Sequence, residues 1–117
     1  MKIINHGTWQ IYYPVHQTRT DALFNIMYSK RDKDGVDWYD YLKAKGKFMD
    51  GSVKMTCYRD HEGDWVVGAA NRDPTMLFPG SGQIILEITD YIGEDPQDHF
   101  GRKIYDPDAN VFKDGKF

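Results

Sequence analysis

Four places in this sequence carry side chains that could do chemistry. Asp106, Asp108, Asn110 and Asp114 stand at positions one, three, five and nine of a calcium-loop pattern, which needs those oxygens turned inward around one hard cation. Position six is Val111, where the bend of such a loop wants glycine, and position twelve is Phe117, where a bidentate glutamate closes the sphere. An ordinary Asx-rich turn is therefore expected there. Asp60, His61, Glu62 and Asp64 share one loop and could hold a metal or a general base. Neighbours on a hairpin tip rarely converge, however, and no second histidine lies at the i+4 spacing of a helical zinc pair, so a solvated turn is expected. Cys57 could be a nucleophile with His6, His16 or His99 as base. It shares a strand face with Val53 and Met55 and reads as a small buried hydrophobe. Gly80-Ser81-Gly82 has the glycines of a phosphate-cradling loop, but it opens a strand and lacks the following Lys-Ser/Thr. No serine, histidine and aspartate arrangement stands out. The residues thus predict no catalytic group, no metal and no cofactor.

The aromatic side chains are the more unusual feature. Eight Tyr, six Phe and three Trp in 117 residues exceed what a core of this size encloses, so several are expected at the surface. Tyr and Trp bring large contact area to protein interfaces at low entropic cost. Trp9, Tyr12 and Tyr13, with Tyr39 on the helix face opposite Trp38, are the candidate partner-binding residues.

Charge is unevenly distributed. The net charge is -3, yet residues 30–59 carry eight basic against five acidic side chains, and residues 60–100 one basic against nine acidic. Such polarity suits either head-to-tail docking between copies or simple solvation. The basic residues alternate with Asp32, Asp34, Asp37 and Asp40, which argues against nucleic acid as a ligand. The longest apolar stretch is residues 84–86 with Ile88 after Glu87, far short of the roughly 20 residues of a membrane span, and the first residues lack the apolar run of a signal peptide. A lone cysteine favours synthesis in a reducing compartment.

Length and composition predict one domain over residues 1–117. Residues 8–15 read as an edge or first strand ending at Pro14. Residues 20–29 could be a short helix or a strand, the strand being preferred because a polar segment ending in Asp34-Gly35 follows. Residues 36–46 read as a short helix with Asp37 in the first turn, Gly46 as the stop, and Trp38, Tyr41 and Leu42 as an apolar stripe facing a sheet. Residues 52–59 and 65–70 alternate as a hairpin around the loop 60–64. Asp73-Pro74 caps one helical turn, residues 83–89 form another strand, and residues 103–105 and 111–112 a last hairpin. The predicted class is α+β, a mostly antiparallel sheet with one short helix packed on it.

Asp34-Gly35-Val36-Asp37-Trp38-Tyr39-Asp40, Gly51-Ser52-Val53-Lys54-Met55, Gly63-Asp64-Trp65-Val66-Val67-Gly68 and Asp73-Pro74-Thr75-Met76-Leu77-Phe78-Pro79 follow one another in an order that resembles small tail-associated and tail-fibre assembly proteins of tailed bacteriophages. The resemblance covers residues 22–90 and rests on turn and packing signatures, so it transfers no functional residue. It implies a non-enzymatic virion component or assembly factor, made in the host bacterial cytoplasm, whose partners are copies of itself, a fibre or a baseplate protein. No nucleic acid and no membrane enter that expectation, whereas a homo-oligomer does. Two other readings stand beside it. One is a small phage-encoded inhibitor that uses the acidic residues 60–98 against a host protein. The other is a small enzyme assembling a site from Asp60, His61 and a distant histidine.

Overall fold

The computed structural model describes residues 1–13 and 27–115. Seven strands form one sheet: β1 (Ile3–Tyr12), β2 (Tyr28–Arg31), β3 (Val53–Arg59), β4 (Trp65–Asn71), β5 (Gln83–Ile88), β6 (Ile104–Asp106) and β7 (Val111–Lys113). They lie in the order β2-β1-β5-β3-β4-β6-β7, and every neighbouring pair is antiparallel. Two short α-helices lie among the described residues, α1 (Trp38–Lys43) and α2 (Pro96–Phe100), with a 3-10 turn at Pro74–Met76. The sheet dominates, so the α+β class holds in its coarse form. None of these helices is long and apolar enough to cross a membrane.

Each face of the sheet carries its own core. On one face Val53, Met55, Cys57, Val67, Ala70, Ile84, Leu86 and Ile88 pack with Phe100 of α2 and Tyr105. On the other, Trp9 and Ile85 pack with Trp38 and Tyr41 of α1 and with Leu77 beyond the 3-10 turn. Asp37 caps α1 by accepting hydrogen bonds from the Tyr39 and Asp40 amides, and Asp73 caps the 3-10 turn by accepting from the Thr75 amide.

Several expectations are corrected. Among the described residues there are two helices where one was expected, because Pro96 opens a turn that buries Phe100. The first strand begins at Ile3 and is interior, bonded to β2 on one side and β5 on the other. Lys30 and Arg31, read as a polar connection, belong to β2. Helix α1 ends at Lys43 with Ala44 as its cap, before Gly46. Pro14 and residues 20–26 of the preferred strand lie outside the described residues. The hairpin β3–β4, the strand β5 and the terminal hairpin β6–β7 form where expected.

A bulge in β1 sets up the second face. The pairing of β1 with β5 shifts by one residue between Asn5 and Thr8, and Gly7 sits there at φ +95°. Strict alternation would turn His6 and Trp9, three residues apart, to opposite faces. The extra residue resets it, and both side chains point at α1. A Cβ on Gly7 would meet Arg31 Cδ at 3.0 Å as well as adopt a left-handed backbone. Gly7→Ala is therefore expected to cost about 1–3 kcal/mol, measured by urea unfolding, and more than Gly63→Ala, where φ is +85° but nothing lies within 4 Å. Equal costs would show that the Arg31 contact is irrelevant.

Candidate functional site

Two groups of side chains stand out as candidates: an aromatic strip at the β2 edge and a buried polar network beside it. In the strip, Tyr12 and Tyr28 stand opposite each other in the β1–β2 ladder with ring centroids 5.9 Å apart. Tyr39, just inside α1, meets the Tyr28 ring edge-on at 5.9 Å and approaches Phe78 at 6.5 Å. Hydrogen bonds hold the rings in place: the Tyr12 hydroxyl donates to Asp37 Oδ2 at 2.5 Å and the Tyr39 hydroxyl to the Met27 carbonyl at 3.0 Å. Burial, then the Asp37 carboxylate, push the Tyr12 hydroxyl up to about 12, so it stays a donor across the physiological range. Tyr13 is 79% exposed and Met27 49%.

The structure thus brings Tyr12 and Tyr39 together through Tyr28 and leaves Tyr13 free in solvent. Trp9 does not belong with them, which corrects its place among the candidate partner-binding residues. It is fully buried, edge-on to Trp38 at 5.2 Å and to Tyr41 at 5.3 Å. The Gly7 bulge is the reason, since it turns this residue inward. Tyr28 was missed because its strand partner is sixteen residues away and no local pattern announces the pairing.

The buried network was missed entirely. Glu87 is 1% exposed, one residue before the end of β5. Its Oε1 accepts from His6 Nε2 at 2.8 Å, and its Oε2 accepts from the Met49 amide at 2.8 Å and the Ser52 hydroxyl at 2.5 Å. An ionised carboxylate only accepts, so His6 carries its proton on Nε2 and its Nδ1 accepts from the Tyr41 hydroxyl at 2.6 Å. Burial lowers the His6 pKa below the ordinary imidazole value against the opposing pull of Glu87, so the pair is a neutral imidazole bonded to a carboxylate. Arg31 closes the outer side: one guanidinium nitrogen donates to the His6 carbonyl and the Tyr41 hydroxyl, both at 3.3 Å, while the other two nitrogens grip Asp34 at 3.1 and 2.6 Å. That grip holds the Asp34 carboxyl down at about 2.

Lys54, also buried, spends its ammonium on the Ser52, Arg72 and Met49 carbonyls at 3.0, 2.7 and 3.4 Å. Glu87 and Lys54 together pin the loop 44–52 to the sheet. That loop, with Lys54, Arg72 and Pro74, walls a cleft of about 530 Å³ that also presents Lys43, Lys45 and Asp50.

The other chemical candidates resolve as turns and packing. Against the expectation that neighbours on this tip stay apart, the Asp60, Glu62 and Asp64 carboxylates lie within 4.8 Å of one another, in a turn where Asp60 Oδ1 accepts from the Glu62 and Asp64 amides; His61 points into solvent. Asp106 likewise accepts from the Asp108 and Ala109 amides, while Asn110 bonds Tyr105 and Asp114 bonds Lys103. Cys57 is fully buried, and burial pushes its thiol up to about 12, far from a thiolate nucleophile. The Gly80-Ser81-Gly82 turn ties β5 to β1, Ser81 Oγ accepting from the Ile11 amide and the Gly82 amide donating to the Trp9 carbonyl. Compared with protein-family models, curated proteins and solved structures, the chain matches none.

Proposed function

We propose that this chain is a non-enzymatic protein that works through protein contacts, as a phage tail component or a tail-fibre assembly factor, the class its sequence resembles. The observation that carries the reading is the hydrogen-bonded aromatic strip Tyr12, Tyr28 and Tyr39 with exposed Tyr13 beside it. Rigid, half-buried tyrosines offer a partner large area with little left to order. The reactive side chains lend support from the other direction: His6, Glu87, Tyr41 and Lys54 are buried and bonded to one another or to backbone.

The inhibitor reading has less behind it. Of the acidic residues it needs, Asp60, Glu62 and Asp64 sit at the β3–β4 turn, Asp90 and Glu94 follow β5 at the opposite end of the sheet, and Glu87 is buried.

Co-expression with the fibre or baseplate protein of the same phage tests the proposal. Wild type is expected to co-purify with it. Tyr13→Ala combined with Tyr39→Ala is expected to weaken that complex by at least about thirtyfold, at roughly 2 kcal/mol for a hot-spot pair, with the variant still folded by circular dichroism. Undiminished co-purification of the double variant would sink the assignment.

A further inference from the structure

The two ends of the β3–β4 hairpin carry opposite charge. Where β3 begins and β4 finishes lies the cleft of about 530 Å³, with Lys43, Lys45, Lys54 and Arg72 against Asp50 alone. Its cations are of two kinds. Lys54 and Arg72 are held on backbone carbonyls, Arg72 on those of Gly51 and Gly93 at 3.2 and 2.8 Å, and fix a positive floor. Lys43 and Lys45 are exposed on the rim and make no ion pair with a described residue.

At the other end, about 20 Å away along the seven residues of β3, is the turn 60–64. It presents Asp60, Glu62 and Asp64 with their carboxylates within 4.8 Å of one another. The turn is also rigid. Its backbone closes through Asp60 N to Asp64 O at 2.9 Å and Gly63 N to Asp60 O at 3.1 Å, so docking orders little. Because Trp65 pairs with Tyr105, the β6–β7 turn reaches the same end and adds Asp106 and Asp108.

We propose that the β3–β4 turn of one copy docks in the basic cleft of the next, joining copies head to tail. The inference rests on the reading of the chain as one that works through protein contacts, and it names the partner at this surface as a second copy. With Lys54 already facing its buried counter-charge Glu87, the cleft keeps Lys43, Lys45 and Arg72 against Asp50, and the turn carries three carboxylates beside the Arg59 that ends β3, so the two surfaces are opposite in sign. Lys43 and Lys45 on the rim close over Glu62, while the tip of the turn faces the fixed cations of the floor. Turn and cleft are different patches of one chain, so the contact is heterologous. It leaves one of each free on the outer copies and grows into a ring or a filament.

Light scattering on the full chain tests this at about 20 mM and about 500 mM salt, where screening lengths differ severalfold. Wild type is expected to associate beyond a dimer at low salt and to lose at least about tenfold in association constant at high salt. His61→Lys with Glu62→Lys, both at exposed positions, and separately Lys43→Glu with Lys45→Glu, should each give monomers that melt like wild type. An equimolar mixture of the two should re-associate, because the first keeps its cleft and the second keeps its turn. A wild type that stays monomeric at low salt overturns the proposal, as does association that survives either double substitution or variants that remain apart when mixed. The fibre-protein test reads a different surface. A monomer that still co-purifies through Tyr13 and Tyr39 removes the head-to-tail contact alone, and a salt-sensitive assembly with no co-purification removes the fibre-partner reading alone.

Discussion

Glu87→Ala is expected to lower stability by about 3–5 kcal/mol in urea unfolding, a large share of what a domain of this size has. Three donors lose their acceptor: His6 Nε2, the Met49 amide and the Ser52 hydroxyl. A buried polar group left without a partner costs about 1–3 kcal/mol, less where water enters, and Lys54 loses its buried counter-charge as well. A loss below about 1 kcal/mol would show that the network is not what holds the loop 44–52 down. The same residues set the acid response. Burial lowers His6, so the unfolded chain takes up a proton near pH 6.5 that the folded chain refuses, and stability falls as pH drops below that value. Burial alone would raise Glu87, but hydrogen bonds from Ser52, His6 and the Met49 amide outweigh it and hold the carboxyl below its usual 4.5. Its contribution is complete above that pH and is lost as pH falls through the folded value. Both groups act in one direction. The melting temperature should decline from pH 7 toward 4, and His6→Asn should flatten the part between about 6.5 and 5.

Trp9→Ala is expected to cost about 3–5 kcal/mol, because the side chain is fully enclosed by Trp38, Tyr41 and Ile85 and its removal leaves a cavity. Any loss of binding in that variant would follow from unfolding, unlike a loss in Tyr13→Ala. A finer comparison separates the two tryptophans. Trp38 Nε1 donates to the Leu77 carbonyl at 3.1 Å, whereas Trp9 Nε1 has no partner among the described residues. Trp38→Phe should therefore be worse than Trp9→Phe by about 1 kcal/mol, the net worth of one hydrogen bond. Equal costs in thermal or urea unfolding would mean that the Leu77 bond contributes nothing.

What the sequence made legible was what neighbours in the chain decide among themselves. The β3–β4 alternation, the Asp37 and Asp73 caps and the Trp38–Tyr41 stripe depend on residues a few positions apart, and each is present. Long-range pairing was not legible. Nothing near Glu87 or Lys54 says that a charge in a buried strand will find His6 from β1 or the Arg72 carbonyl beyond β4. Gly7 is an unremarkable glycine until β5 lies beside it and the one-residue shift appears. Trp9 was read as exposed for that reason. The aromatic edge was half legible: tyrosine abundance suggested surface rings, but only the β1–β2 register joined Tyr12 to Tyr28 and, through it, to Tyr39.

The place of β1 in the sheet also has a consequence for how the protein is made. Ile3 pairs with Ile88, so an early strand of the sheet is flanked by one of the later ones. The hairpin β3–β4 closes a short loop and can form early, and β1 can pair with β2 along Trp9–Tyr12, but its Ile3–Asn5 end must wait until β5 has been synthesised. At about 5–20 residues per second that wait is on the order of 10 s, with the Ile3–Asn5 end of β1 unpaired throughout. A nascent chain arrested before residue 83 should therefore hold β1 paired with β2 on one side only, its Ile3–Asn5 end open, the kind of segment chaperones and growing aggregates compete for.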